Sequence, residues 1–212
     1  KRLSQRFAAA RLAVRSSAAG EDGADSSQAG AYSSYLDVDG ADRRALEQAI
    51  DAIIASYPGN PLDQVLVQPM LAGVALSGVV TTHDMERGSP FYVLNYDDES
   101  GRTDSITGGT GVNKAVLVFR HAEPRHIESE RVSAIVEMAR ELEAIGGPVP
   151  LDIEFAMTHR GELYIFQVRR ISLRKYWLSG TEKRITKRLE FVEGFIADRS
   201  RRRRAWPNRA PS

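Results

Sequence analysis

The sequence predicts an α+β fold in two lobes, with mostly antiparallel sheets flanked by helices. Three observations carry this reading. Strand-like apolar runs at 65–70, 75–82 and 91–96 follow one another with no helix between them. Helical periodicity is strong in only two central stretches, 43–57 and 127–145, too few for the regular β-α-β alternation of a doubly wound sheet. Residues 151–157 and 163–168 read as two strands joined by a tight turn at His159-Arg160-Gly161, which is a β-hairpin.

Taken in order, Arg11-Leu12-Ala13-Val14 reads as a short strand. Residues 16–30 are dense in Gly, Ser, Ala and Asp and read as a loop. Tyr35-Leu36-Asp37-Val38 suits a second strand. Asp42 is the expected N-cap of the helix at 43–57, whose apolar residues Ala45, Leu46, Ala49, Ile50, Ile53 and Ile54 recur at helical spacing. Pro58-Gly59-Asn60-Pro61 ends it. After the three strand-like runs comes a polar, Gly-rich stretch, 97–113, and then a strand at 114–119. The helix at 127–145 places Val132, Ile135, Val136, Ala139, Leu142 and Ile145 on one expected face, and Gly146-Gly147-Pro148 stops it. After the hairpin, 181–196 reads as a final helix and 199–212 as a disordered basic tail. No internal repeat is present.

The chain has 212 residues, enough to bury a real core, with 42% hydrophobic and 27% charged residues, the composition of an ordinary soluble protein. It contains no cysteine, which excludes a disulfide framework, a thiolate metal site and a cysteine nucleophile. No apolar run reaches the ~18–20 residues that span a bilayer. Lys1-Arg2-Leu3-Ser4 offers neither an initiator Met nor a signal-peptide core, so the sequence is expected to start inside a longer, cytoplasmic chain. The net charge of +1 hides an asymmetry. Residues 174–212 hold 12 Lys/Arg against 4 Asp/Glu, a net +8, and residues 1–173 hold 17 against 24, a net −7. A basic end of this kind suits either a solvated helix or an anionic partner such as nucleic acid.

The sharpest chemical signal is Leu151-Asp152-Ile153-Glu154-Phe155. Period-2 alternation puts Asp152 and Glu154 on one face, about 7 Å apart along the strand, and turns Leu151, Ile153 and Phe155 to the core. Gln167, on the partner strand, is expected near the two carboxylates. Hard oxygen donors converging on one face suit Mg²⁺. The same pattern also suits a solvent-facing strand edge with ordinary acids. A second signal is Val14-Arg15-Ser16-Ser17-Ala18, a strand running into a small-residue loop. There Arg15 supplies a planar donor for phosphate and the loop supplies backbone N–H groups, although Glu21, Asp22 and Asp25 would oppose an anion. A flexible surface linker is the competing reading. Gly108-Gly109-Thr110-Gly111-Val112-Asn113-Lys114 matches no phosphate-loop pattern and reads as a turn. His83, His121, His126 and His159 show no metal-ligand spacing, and no serine nucleophile elbow is present.

Three segments in order, LAVRSSAAGEDGADSSQAGAYSSYLDV (12–38), VLVQPMLAGVALSGVVTTHD (65–84) and PLDIEFAMTHRGELYIFQVRRIS (150–172), resemble the ATP-binding domain of the pyruvate phosphate dikinase and phosphoenolpyruvate synthase family. The resemblance implies an ATP-grasp fold holding Mg-ATP between two lobes. It further implies phosphoryl transfer from ATP to a histidine on a separate domain, then to pyruvate or another acceptor. By the same resemblance, Arg15 contacts phosphate, Ser16, Ser17 and Gly30 belong to the phosphate-covering loop, and Gln68, Pro69, Met70 and Leu71 form the hinge that meets adenine. Thr82 is implied on the phosphate side, Asp152 at the nucleotide, Glu154 and Gln167 as Mg²⁺ ligands, and Arg169 as the arginine closing the set. The family's Phe-Thr-Arg/Ala-Asp-Pro stands here as Thr81-Thr82-His83-Asp84-Met85, and 91–109 replaces its Gly-Leu-Gly-Glu loop. That resembles a less familiar, phosphoenolpyruvate-synthase-like branch. The implied organisation is a nucleotide-binding domain at 1–173, a helical extension at 174–198 and a basic tail at 199–212. The implied phosphohistidine and acceptor-binding domains have no counterpart in this chain. Two other functions fit parts of the sequence: a nucleotide-sensing module without transfer chemistry, and nucleic-acid binding through the arginines of 199–204.

Overall fold

The computed structural model describes residues 2–18, 34–86, 88–103, 106, 114–147, 149–171 and 180–204. Among them the chain builds two antiparallel sheets, each packed against a helix of its own. The α+β expectation therefore holds.

The smaller sheet has strands β1 (Arg11–Ser17), β2 (Ser34–Asp39) and β3 (Gln64–Pro69), in the order β2-β1-β3. Between β2 and β3 runs helix α2 (Arg43–Ser56). Asp42 caps it as expected, its side chain accepting from the N–H groups of Arg44 and Ala45. Leu46, Ala49 and Ile53 of α2 pack on Leu12 and Val14 of β1. A five-residue helix, α1 (Arg2–Arg6), precedes β1 and was not expected; it is too short to show a period.

The larger sheet has strands β4 (Val74–Thr81), β5 (Phe91–Asp97), β6 (Lys114–Phe119), β7 (Leu151–Thr158) and β8 (Leu163–Arg170), in the order β6-β5-β4-β7-β8. The first three form a meander. The chain then returns through helix α3 (Glu130–Gly146) and lays β7 along the free side of β4. The 151–168 hairpin is present, and Gly161 makes its turn at φ +81°, where a side chain would be strained. Gly78 of β4 is required for another reason: a Cβ there would come within 2.2 Å of the Asn95 carbonyl oxygen.

Four boundary expectations are corrected. Ser16 and Ser17 are not in a loop; they extend β1 and pair with Val65 and Gln64 of β3. Helix α3 starts at Glu130 rather than 127, because the Ser129 hydroxyl caps it from the N–H of Val132 and a short 3-10 turn (Pro124–His126) precedes it. Ile145 does not face the core and is 84% exposed. Thirteen residues beyond Val132, the helical step carries it about 140° around the axis. The inward position of that last turn belongs to Glu143, which accepts from Tyr92 Oη at 2.6 Å and Arg120 Nη1 at 2.7 Å. Finally, helix α4 (Thr181–Arg204) continues through the arginines expected to be disordered. Residues 205–212 lie outside the described residues.

Candidate functional site: one polar sheet face

The larger sheet has two unlike faces. Leu76, Val80, Tyr92, Leu94, Ile153 and Phe155 look toward α3 and form the main core with Val132, Ile135, Val136 and Ala139. Paired residues in an antiparallel ladder share a face, so the register identifies the opposite face row by row. One row runs Arg169–Asp152–Thr81–Val93, and the next runs Gln167–Glu154–Val79–Asn95. The expected convergence of Asp152, Glu154, Gln167 and Arg169 is thus present: Gln167 stands opposite Glu154, and Arg169 opposite Asp152.

The smaller sheet adds a residue to this face. Arg15 of β1 reaches Glu154, with Nη1 3.8 Å from Oε2, and both side chains are about one-fifth exposed. The Arg15 guanidinium also lies over the Phe166 ring, 5.6 Å from its centroid. Sequence reasoning missed Phe166. By strict alternation it would face away, but the β7–β8 register shifts between Glu154 and Phe155, whose partners are Gln167 and Ile165. Phe166 is the extra residue of that bulge, and a bulge re-aims a side chain. Only a break in the pairing reveals it, and no residue type announces one.

The electrostatics of the face are set first by burial. Burial, and secondarily the charge of Glu154, raise the Asp152 carboxyl above its ordinary value; Arg169 partly opposes this. Asp152 Oδ1 is buried without a hydrogen-bond partner, and so is Arg15 Nε. An orphaned carboxylate oxygen, a second carboxylate and an amide form a hard-oxygen donor set that fits Mg²⁺, which keeps waters and takes phosphate oxygens for its remaining positions. Among the described residues no group of three or more His, Asp or Glu side chains is gathered for a metal. A cation here would be held by few protein oxygens, with waters or a ligand's oxygens in its remaining positions.

The other expected residues fall in different places. Ser17 shares the strand face of Arg15, whereas Ser16 alternates to the face of α2. Gln68 pairs with Ala13 on the Arg15 face of the small sheet and is half-buried. Pro69 ends β3 opposite Leu12, and Met70 and Leu71 begin the short link between the two sheets, where the Met70 N–H donates to the Arg11 carbonyl. Thr82 is not brought to the polar face. It is fully buried just past β4; its hydroxyl accepts from the Leu151 N–H and its carbonyl accepts from Arg120. Its neighbour Thr81 is the threonine beside Asp152. Gly30 and the rest of 19–33 lie outside the described residues, as do 107–113. A separate apolar groove between α2 and β3, lined by Ile50, Ile54, Tyr57, Val65 and Val67, shares no residue with this face.

Residues 1–60 match the family described as pyruvate phosphate dikinase, AMP/ATP-binding domain. Over that stretch the chain is similar to a piece of that domain. The dikinase-like stretch includes β1 with Arg15, β2 and α2; the carboxylates of β7 lie beyond it. No curated protein matches the chain. Among the described residues no helix is long and apolar enough to cross a membrane.

Proposed function

We propose that the chain binds Mg-ATP against the polar face of the larger sheet, in an ATP-grasp-like arrangement. It would serve a phosphoenolpyruvate-synthase-like phosphotransferase that passes a phosphoryl group to a histidine on a separate domain, then to pyruvate or another acceptor. One observation carries this reading: Arg15, inside the dikinase-like stretch, meets Glu154, which lies far outside it in sequence.

Phosphoryl transfer asks a protein for positioning and charge neutralisation more than for covalent chemistry. Glu154 and Gln167 would hold Mg²⁺, and Asp152 would complete the oxygen set. The metal supplies charge neutralisation at the phosphate oxygens. Arg15 and Arg169 approach the same place from two different sheets and would neutralise the transferring group. Gln68 to Leu71, at the end of β3 and the start of the link that follows it, would meet the base. Thr81, by its position in the Asp152 row, takes the phosphate-side role that the resemblance gave to Thr82.

Calorimetric titration with a non-hydrolysable ATP analogue, with and without Mg²⁺, tests the site. Mg²⁺-dependent binding is expected, falling at least about tenfold in Glu154→Ala, the loss expected of a charged ligand. Equal binding by wild type and Glu154→Ala would refute the assignment. A histidine-bearing partner domain that binds and yet takes no phosphoryl group from ATP would leave a nucleotide-sensing module as the function.

A further inference from the structure

Arg15 is held by an unusual pair of contacts. Its Nη1 stands 3.8 Å from Glu154 Oε2, a charge contact longer than a hydrogen bond, and its guanidinium rests on the Phe166 ring. Its Nε is buried with no hydrogen-bond partner. A buried arginine of long-term structural use normally has its donors engaged. Here charge and a ring face hold the group while its Nε–H stays without a partner. Two residues from Glu154 on β7, Asp152 Oδ1 has no partner either.

We propose that Arg15 is the site's exchangeable cation: it neutralises Glu154 while no metal is bound, and a divalent cation arriving at Glu154 displaces it. Phe166 is the positioning residue that holds the displaced guanidinium in place, so that its free donors face an incoming phosphate. The inference rests on the reading of Glu154 as a metal ligand. It goes further by making metal entry and arginine release one event. Because β1 and β7 belong to different sheets, the exchange also breaks the charge contact between the two sheets and remakes it through the ligand. Metal and arginine therefore compete for Glu154 when no nucleotide is present and cooperate once phosphate is there.

The test is calorimetry on the whole chain with MgCl₂ alone, then with the ATP analogue plus Mg²⁺. Arg15→Gln should bind Mg²⁺ alone about fivefold more tightly than wild type, the scale of a weak, partly buried ion pair, and should bind the Mg-nucleotide more weakly. Opposite signs are the signature, since simple damage to the fold would weaken both. Phe166→Leu removes the ring that holds the displaced guanidinium and should weaken Mg²⁺ binding by a smaller factor; no change there removes Phe166 from the proposal. In wild type, Mg²⁺ alone should move the Arg15 Nε–H resonance, and Glu154→Gln should abolish that shift. Arg15→Gln binding Mg²⁺ no more tightly than wild type, or no Mg²⁺ binding by either, overturns the exchange. If wild type fails to bind Mg-nucleotide while Arg15→Gln still tightens Mg²⁺, the nucleotide assignment fails and the exchange stands.

Discussion

Strand β7 shows two regions under opposite rules. Leu151, Ile153 and Phe155 are at most 3% exposed and pack against α3, and Asp152 and Glu154, one step away on the same backbone, are charged and only half-buried. The apolar side gains from removing surface from water, at roughly 25 cal/mol per Å². The polar side gives up part of that gain: burial lifts the Asp152 carboxyl and leaves an oxygen unpartnered. A strand can carry that cost because its alternate residues are so well buried. Stability is concentrated on one face and ligand chemistry on the other.

Breaking the apolar side should have the largest effect. Phe155→Ala removes a side chain that is 1% exposed and should cost about 3–5 kcal/mol, read as a loss of midpoint in urea unfolding. A smaller loss would mean that α3 and the sheet can close over the gap.

The polar side sharpens the comparison with the opposite sign. The Asp152 carboxyl is raised in the folded protein, so the native state binds its proton more tightly than the unfolded chain does. Ionised Asp152 therefore costs stability at neutral pH, and the cost fades as pH falls through the raised value toward the ordinary 3.8. Asp152→Asn should raise the melting temperature by a few degrees at pH 7, with the gain shrinking as pH is lowered. A variant less stable than wild type at pH 7 would show that Arg169 outweighs burial and Glu154. The smallest effect belongs to Ile145→Glu. At 84% exposure it should change stability by less than about 0.5 kcal/mol, although sequence periodicity had placed it in the core.

The legible parts and the missed parts differ for physical reasons. The hairpin and the shared face of Asp152 and Glu154 follow from the period of two, a property of any strand. The Asp42 cap was legible because capping is a local contact. Ile145 was misplaced because the last turn's inward position went to a glutamate: Tyr92, Arg120 and Glu143 satisfy one another across α3 and the sheet. Hydrophobic patterning has no term for an inward acid that is paired. Thr82 and Thr81 could not be separated by type, and strand register alone decides which of them stands beside Asp152.

By itself the sequence determined the α+β class, the hairpin, the capped helix α2 and the acidic face of β7, because each depends on residues close together in the chain. Its first 60 residues also carry enough of the dikinase-like pattern to match that family. Only the tertiary structure decided that β7 lies against β4, that Arg15 crosses from one sheet to the other, and that a bulge turns Phe166 beneath it. The β4–β7 pairing and the Arg15 contacts join residues far apart in the chain, and their partners are chosen by packing and pairing across the whole fold.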